Sequence, residues 1–298
     1  MNTAKDRATD KKTGIELTVA GPADGESLSI GTGFSARSFR SRDIGPAMDP
    51  LVLVDHYVMT EPTFGTHPHA GLSAVSLIFQ NSEGRFHNRD SLGNDFDLLP
   101  GDLYWLRAGR GALHNESPRK GSRIHGLQVF VNVPQAFRYE EPASLLVRWQ
   151  DMPVISNGQH RIRVALGESN GVSGARSPSL PMTILYGELD HNGSFGHALA
   201  GGRNAWVHAI SGDIDVTVSE NSTRVRKGQA VAIANADSGQ SVTVHVSAAN
   251  HSQAHFALLD GEAIKESFVQ QGPFVMSSSD EIEAINQAFD EGRFGSID

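Results

Sequence analysis

Residues 98–116 read LLPGDLYWLRAGRGALHNE, and this stretch decides the fold. The Pro-Gly pair at 100–101 sets a turn, because proline fixes one backbone angle and glycine tolerates the left-handed one. An apolar run follows and is broken by Gly109 and Gly111, leaving a segment too short for a helix but of strand length. The next segment carries His114 and Glu116 two residues apart. On a strand, residues i and i+2 project to one face. Upstream, THPHAG (66–71) repeats the device with His67 and His69. If the two strands are neighbours, three imidazoles and one carboxylate converge inside a barrel.

The rest of the chain reads the same way. Short apolar runs at 51–54 (LVLV), 74–79 (AVSLIF), 127–133 (LQVFVNV), 183–186 (TILY), 214–218 (IDVTV), 230–233 (AVAI) and 242–246 (VTVHV) are each bounded by Gly, Pro, Asn, Asp or Ser. Many short strands at this spacing predict an all-β sandwich or barrel. A helix is expected only near the end, in DEIEAINQAFDEGRF. Ser279 or Asp280 would cap it, and Ile282, Ile285, Ala288 and Phe289 form one stripe. PGD at 100–102 and the turns of ISGDIDV (210–216) and KGQAVAI (227–233) suggest a loose internal repeat, hence a duplicated barrel. The expected limits are a barrel over 15–134, a linker over 135–152, a second barrel without metal over 153–270, and a tail with its helix over 271–298, packing on the N-terminal domain. Residues 1 to about 14 read as a frayed tail.

Composition narrows the function. With 298 residues, 39% of them hydrophobic, the chain has enough apolar content for two cores. A formal net charge of -9 argues against direct binding of nucleic acid or an anionic membrane, which need a basic face. There is no cysteine, so disulfides, thiolate metal sites and Cys nucleophiles are excluded, and a reducing cytoplasm is the expected compartment. No stretch is long and apolar enough to be read as a bilayer-spanning helix.

Three imidazoles and a carboxylate suit one borderline divalent ion, with two octahedral positions left for water, substrate or dioxygen. The histidines must be neutral and Glu116 ionised, so affinity should weaken in acid. Other candidates have blander readings. His56 is either a partner that fixes a ligand tautomer or a structural histidine. His87 sits in a hairpin and His125 before a strand. His245, His251 and His255 share neither a strand face nor a helix face. Arg107 and Arg110 either hold a carboxylate or solvate a turn. Phe64, Leu72, Phe79, Trp105 and Phe130 are candidate pocket walls, with strand phase open.

The motifs HPHAG, HNRDSLGN (87–94), PGDLYWLRAGRGALHNE (100–116), IHGLQVFVNVP (124–134) and GPFVMSS (272–278) together resemble the pirins. The likeness runs from about residue 38 to 294. It implies a bicupin, two face-to-face antiparallel β-barrels with a short C-terminal helix and metal in the N-terminal barrel only. By position it implies His67, His69, His114 and Glu116 as ligands. Iron is the metal most associated with the family, and zinc, manganese, nickel, copper or cobalt are alternatives. Two departures stand out, since the family usually has Arg and Glu where this chain has Ala70 and Ser73. Some pirins resemble quercetin dioxygenases, which implies a flavonol-like or other phenolic enediol substrate with Glu116 as ligand and base. Others resemble metal-dependent regulators that bind a protein partner.

Overall fold

A computed structural model describes residues 5–9, 16–236 and 239–297. Each apolar run seen in the sequence forms a strand: Leu51–Met59, Leu72–Ile78, Ile124–Asn132, Met182–Leu189, Ile214–Val218, Ala230–Asn235 and Val242–Ala248. Of the opening segment read as a tail, Lys5–Thr9 pairs antiparallel with Glu16–Ala23, whose edge supplies backbone partners regardless of side-chain polarity. The remainder of that segment lies outside the described residues.

The chain divides into two units that do not follow a single cut in the sequence. One comprises Glu26–Ser38, Leu51–Gln150 and Ile264–Asp298, and the other Met1–Gly25, Phe39–Pro50 and Asp151–Ala263. The stretch 135–152 contributes the strand Ala143–Val147, which pairs with Leu103–Arg107. Within the first unit, one sheet runs in spatial order Ala143–Val147, Leu103–Arg107, Leu72–Ile78, Ile124–Asn132, Leu51–Met59, Phe34–Arg40, Glu26–Ile30. A four-stranded sheet, His67–His69, Ala112–Pro118, Phe86–Asp90, Asp95–Leu98, completes it.

The second unit repeats this plan. Its large sheet contains the sequence Ala230–Asn235, Arg203–Ser211, Ala254–Glu262, Met182–Leu189, and its four-stranded sheet is Ser194–Leu199, Val242–Ala248, Ile214–Val218, Asn221–Val225. The loose repeat in the sequence is therefore a repeat of strand order over four strands of each large sheet and the whole of each four-stranded one, and the fold is an all-β bicupin. The first core is aromatic, with Phe34, Tyr57, Phe86 and Tyr104 among its members, whereas the second is mostly aliphatic.

The C-terminal segment closes on the HPHAG turn. Val275 N–H donates to the Ala70 carbonyl at 3.1 Å, and Ala70 joins an apolar cluster with Phe274, Met276, Ile282, Ile285 and Phe294. Ala70 is fully buried there, so an arginine at this position would have to displace the tail. The helix spans Ser279–Asp290 and is capped one residue earlier than expected: the Ser278 side chain accepts from Glu281 N–H, while the Glu281 carboxylate accepts from Ser277 N–H. Ile282 and Ile285 are buried, but Phe289 at the end of the expected stripe is exposed.

Gly71 has φ +71°, and a Cβ added to it would stand 1.9 Å from the Val275 carbonyl oxygen. Gly71→Ala therefore combines backbone strain with a clash and is expected to lower the unfolding free energy by at least about 2 kcal/mol in urea titrations. A change below about 0.5 kcal/mol, the scale of ordinary surface substitutions, would contradict the close approach.

Candidate metal centre

The two histidine-bearing strands are neighbours. His67–His69 pairs antiparallel with Ala112–Pro118 in a register that sets His67 opposite His114 and His69 opposite Ala112. Alternation then sends all three imidazoles to one face. His114 Nε2 lies 2.9 Å from both His69 Nε2 and His67 Nε2. The rings meet at steep angles of 67–73°, with centroids 4.5–5.0 Å apart, so they converge edge to face.

These contacts cannot all be hydrogen bonds. A ring nitrogen either donates one hydrogen or accepts with one lone pair, so His114 Nε2 satisfies one of its two neighbours. His67 Nδ1 is bonded to the Gly65 carbonyl at 2.8 Å, which places its hydrogen there and leaves Nε2 as a lone pair. Burial pushes His69 down to about 3, helped by a positive charge on His67 and opposed by the Pro273 carbonyl. Burial likewise lowers His114 far below its ordinary value, with His69 and then His67 adding to it, and it lowers His67 against the Gly65 contact. The fold thus holds three neutral imidazoles nose to nose. Two imidazole nitrogens bound at right angles to one ion, with bonds of about 2.0–2.1 Å, stand roughly 2.8–3.0 Å apart. The donor set and its spacing fit a metal ion, and among the described residues no other group of three or more His, Asp or Glu side chains has this arrangement.

Glu116 lines the same cavity but lies outside that cluster. Its Oε1 accepts from Ser76 Oγ at 2.7 Å, and the same hydroxyl lies 3.1 Å from Gln128 Oε1. Burial raises Glu116 to about 7, with the Ser76 bond opposing and Asp90 adding to the shift. Ser76 carries a signal in the sequence as the lone polar residue inside AVSLIF, two residues from Ala74 and Ile78 on the inward face. Ser73 has the opposite parity, so it faces away from the cavity.

The cavity measures about 170 Å³ and is lined by Phe34, Tyr57, Met59, Phe64, Phe86 and Phe130 together with the polar groups. Of the expected walls, Phe64 and Phe130 are present. Leu72 packs with Val52, Ala74 and Val275; Phe79 packs on His56 and His125; Trp105 lies on the strand face opposite Tyr104 and Leu106. His56 and His125 bond each other at 2.6 Å and do not line the cavity, because Asp55, Tyr57 and Gln128 hold the inward phase. His87 pairs with Asp95 at 2.7 Å, and Arg107 and Arg110 pair with Glu140 and Glu141. In the second unit His255 lies 3.3 Å from the Tyr186 hydroxyl and His251 meets Asn192.

Residues 30–131 match the family model described as Pirin, and residues 184–295 match the Pirin C-terminal cupin domain. The chain belongs to the pirin family. Pirin of Rattus norvegicus is 31% identical over 240 residues, covering 80% of each chain. The crystal structure of quercetin 2,3-dioxygenase from Acinetobacter baumannii superposes with a TM-score of 0.78 at 26% identity, covering 91% of this chain and 96% of that one. Bacterial pirin YhhW from Escherichia coli, in complex with nickel(II), has a TM-score of 0.59 at 17% identity over 83% of this chain and 99% of its own, a likeness of fold. No helix among the described residues is long and apolar enough to cross a membrane.

The lowered histidines set a pH dependence for metal-free protein. Their unfolded value near 6.5 exceeds the folded one, so protons favour the unfolded chain, and stability falls from pH 6.5 towards 3. Glu116, raised from 4.5 to about 7, acts oppositely between those values, but it is one group against three. Melting temperatures of metal-free protein should therefore drop through this window. His69→Leu should flatten the slope, and an equally steep acid limb in that variant would contradict the assignment.

Proposed function

We propose that the protein is a metal-dependent dioxygenase of the quercetin 2,3-dioxygenase type, acting on a flavonol-like or other enediol substrate. The observation that carries this reading is the meeting of three neutral imidazoles in a cavity that also holds a carboxylate with a pKa near 7. His67, His69 and His114 would hold one divalent ion, with Glu116 as the adjoining carboxylate, ligand and base. Iron is our first choice, although zinc, manganese, nickel, copper or cobalt suit the same donors and supply decides between them. When bound, the ion would supply a Lewis acid for an enediol oxygen and, where it is redox-active as iron is, a redox centre for dioxygen.

The side chains do the rest. Burial raises the basicity of Glu116 in metal-free protein, and a bound cation would favour its ionised form, so the group would meet substrate as a carboxylate able to take the proton of a hydroxyl. Ser76 holds the carboxyl in place by donating to Oε1, so the free oxygen is the one available to substrate. The phenylalanines Phe34, Phe64, Phe86 and Phe130 keep water from the reacting enediol and offer flat surfaces to a ring. The cysteine-free chain suits the cytoplasm, where we place it.

Elemental analysis of purified protein should give one divalent ion per chain, and none in a His67→Ala/His69→Ala/His114→Ala variant. Retention of metal by that variant would end the proposal. With enediols ranging from quercetin to single-ring compounds, dioxygen uptake should match substrate loss. Glu116→Gln should slow turnover at least about a hundredfold, the usual scale for losing a general base. If metal-loaded protein consumes no dioxygen with any of these substrates, the dioxygenase reading fails.

A further inference from the structure

Resting on the small-molecule reading of the same site, we infer that the cavity selects a single-ring enediol or hydroxyketone, and that the Tyr57 hydroxyl grips one of the ligand's oxygens. The first half follows from size. The space is about 170 Å³. An enclosed apolar cavity of about 150 Å³ takes one benzene ring, whereas drug-sized ligands occupy pockets of roughly 300–1,000 Å³. A three-ring flavonol needs far more room than one ring, so its further rings would have to lie outside this space, past walls that are aromatic and packed on each other. Phe34 and Phe64 meet edge to face at 5.0 Å and 81°, and Phe34 stacks on Tyr57 at 5.9 Å.

The second half follows from an orphaned donor. Tyr57 lies on Leu51–Met59, is only 2% exposed, and lines the cavity. Its hydroxyl is buried without a hydrogen-bond partner. A buried hydroxyl left unpaired is costly, and a ligand oxygen beside it removes that cost. The lining is apolar at Phe34, Met59, Phe64 and Phe86, which offer faces to a ring, and polar at Tyr57, Gln128, Glu116 and the histidines, which offer partners to its oxygens. Phe64, half-buried and 6.3 Å from the His67 ring, sets the limit on size.

The test uses full-length, metal-loaded protein under anaerobic conditions, where binding is read without turnover. The probes are maltol, which is the hydroxypyrone ring of a flavonol without its benzene rings, and quercetin. Calorimetry should show maltol binding at least about tenfold tighter than quercetin. Tyr57→Phe should weaken maltol about tenfold, the scale of one lost hydrogen bond, with metal content unchanged and the melting temperature of ligand-free protein not lowered. Phe64→Ala should shift the preference towards quercetin by a similar factor. Quercetin binding as tightly as maltol, or maltol affinity unaffected by Tyr57→Phe, would overturn the inference. If neither probe binds protein with its full complement of metal, both the inference and the small-molecule reading fall. Quercetin consumed with dioxygen by a protein that does not bind maltol overturns the inference alone.

Discussion

Three imidazole nitrogens drawn together, with His114 Nε2 standing 2.9 Å from both His67 Nε2 and His69 Nε2, are the constraint to which the N-terminal barrel is built. Neutral imidazoles have no reason to gather that way for stability, since burial removes their water and their mutual contacts cannot all be satisfied as hydrogen bonds. The fold imposes the arrangement through backbone register. Pairing His67 with His114 across two short strands fixes both ring positions, and the i, i+2 spacing brings His69 onto the same face. A slip of one residue in this pairing would turn the set away from the cavity.

The tail makes that register hard to lose. His67–His69 is only three residues long and would be a weak strand by itself. On its far side the chain turns at Gly71, whose N–H donates to the Gly109 carbonyl, and Val275 bonds back to Ala70. Gly111, just ahead of the partner strand, leaves space that the Phe294 ring fills: an added Cβ would stand 2.2 Å from it. Both turns that deliver the histidine strands are thus clamped by residues some 180 to 205 positions later in the chain. This explains why a small residue suits position 70.

Much of this is legible in the amino-acid sequence. Two histidine pairs at strand spacing announce their shared faces, because alternation in a strand is a local property. Glycine turns around short apolar runs announce an all-β chain for the same reason. What is not legible is non-local. Nothing in the sequence fixes the phase of Leu51–Met59 against that of Ala112–Pro118, so Tyr57 gives no sign of facing the cavity, while Phe79 and Trp105 pass for walls. His56 invites a reading as the partner that fixes a ligand tautomer, but it and His125 have the opposite strand phase to the inward Asp55, Tyr57 and Gln128. Ser76 stands in plain view as a polar residue on an apolar strand, yet its partner, Glu116, lies 40 residues away.

The second unit shows that the repeated plan alone does not bring three imidazoles together. Matching strand ends, Ser194–Leu199 stands for His67–His69 and Val242–Ala248 for Ala112–Pro118. Pairing of His197 with Val244 and of Leu199 with Val242 then aligns His67, His69, His114 and Glu116 with His197, Leu199, Val244 and Val246. One imidazole survives, and both of its nitrogens are occupied: Nδ1 lies 2.9 Å from Ser169 Oγ and Nε2 lies 2.7 Å from Asp260 Oδ2, a carboxylate that Arg203 also engages. The other three positions are aliphatic and merge into the core. The same scaffold therefore has two stable ways to treat an inward histidine. It can satisfy one with a hydroxyl and a carboxylate, or it can set three against each other and leave their lone pairs for a cation. Among the described residues, only the first unit takes the second course, and there the arrangement shares its cavity with an ionisable carboxyl and an unpaired phenol.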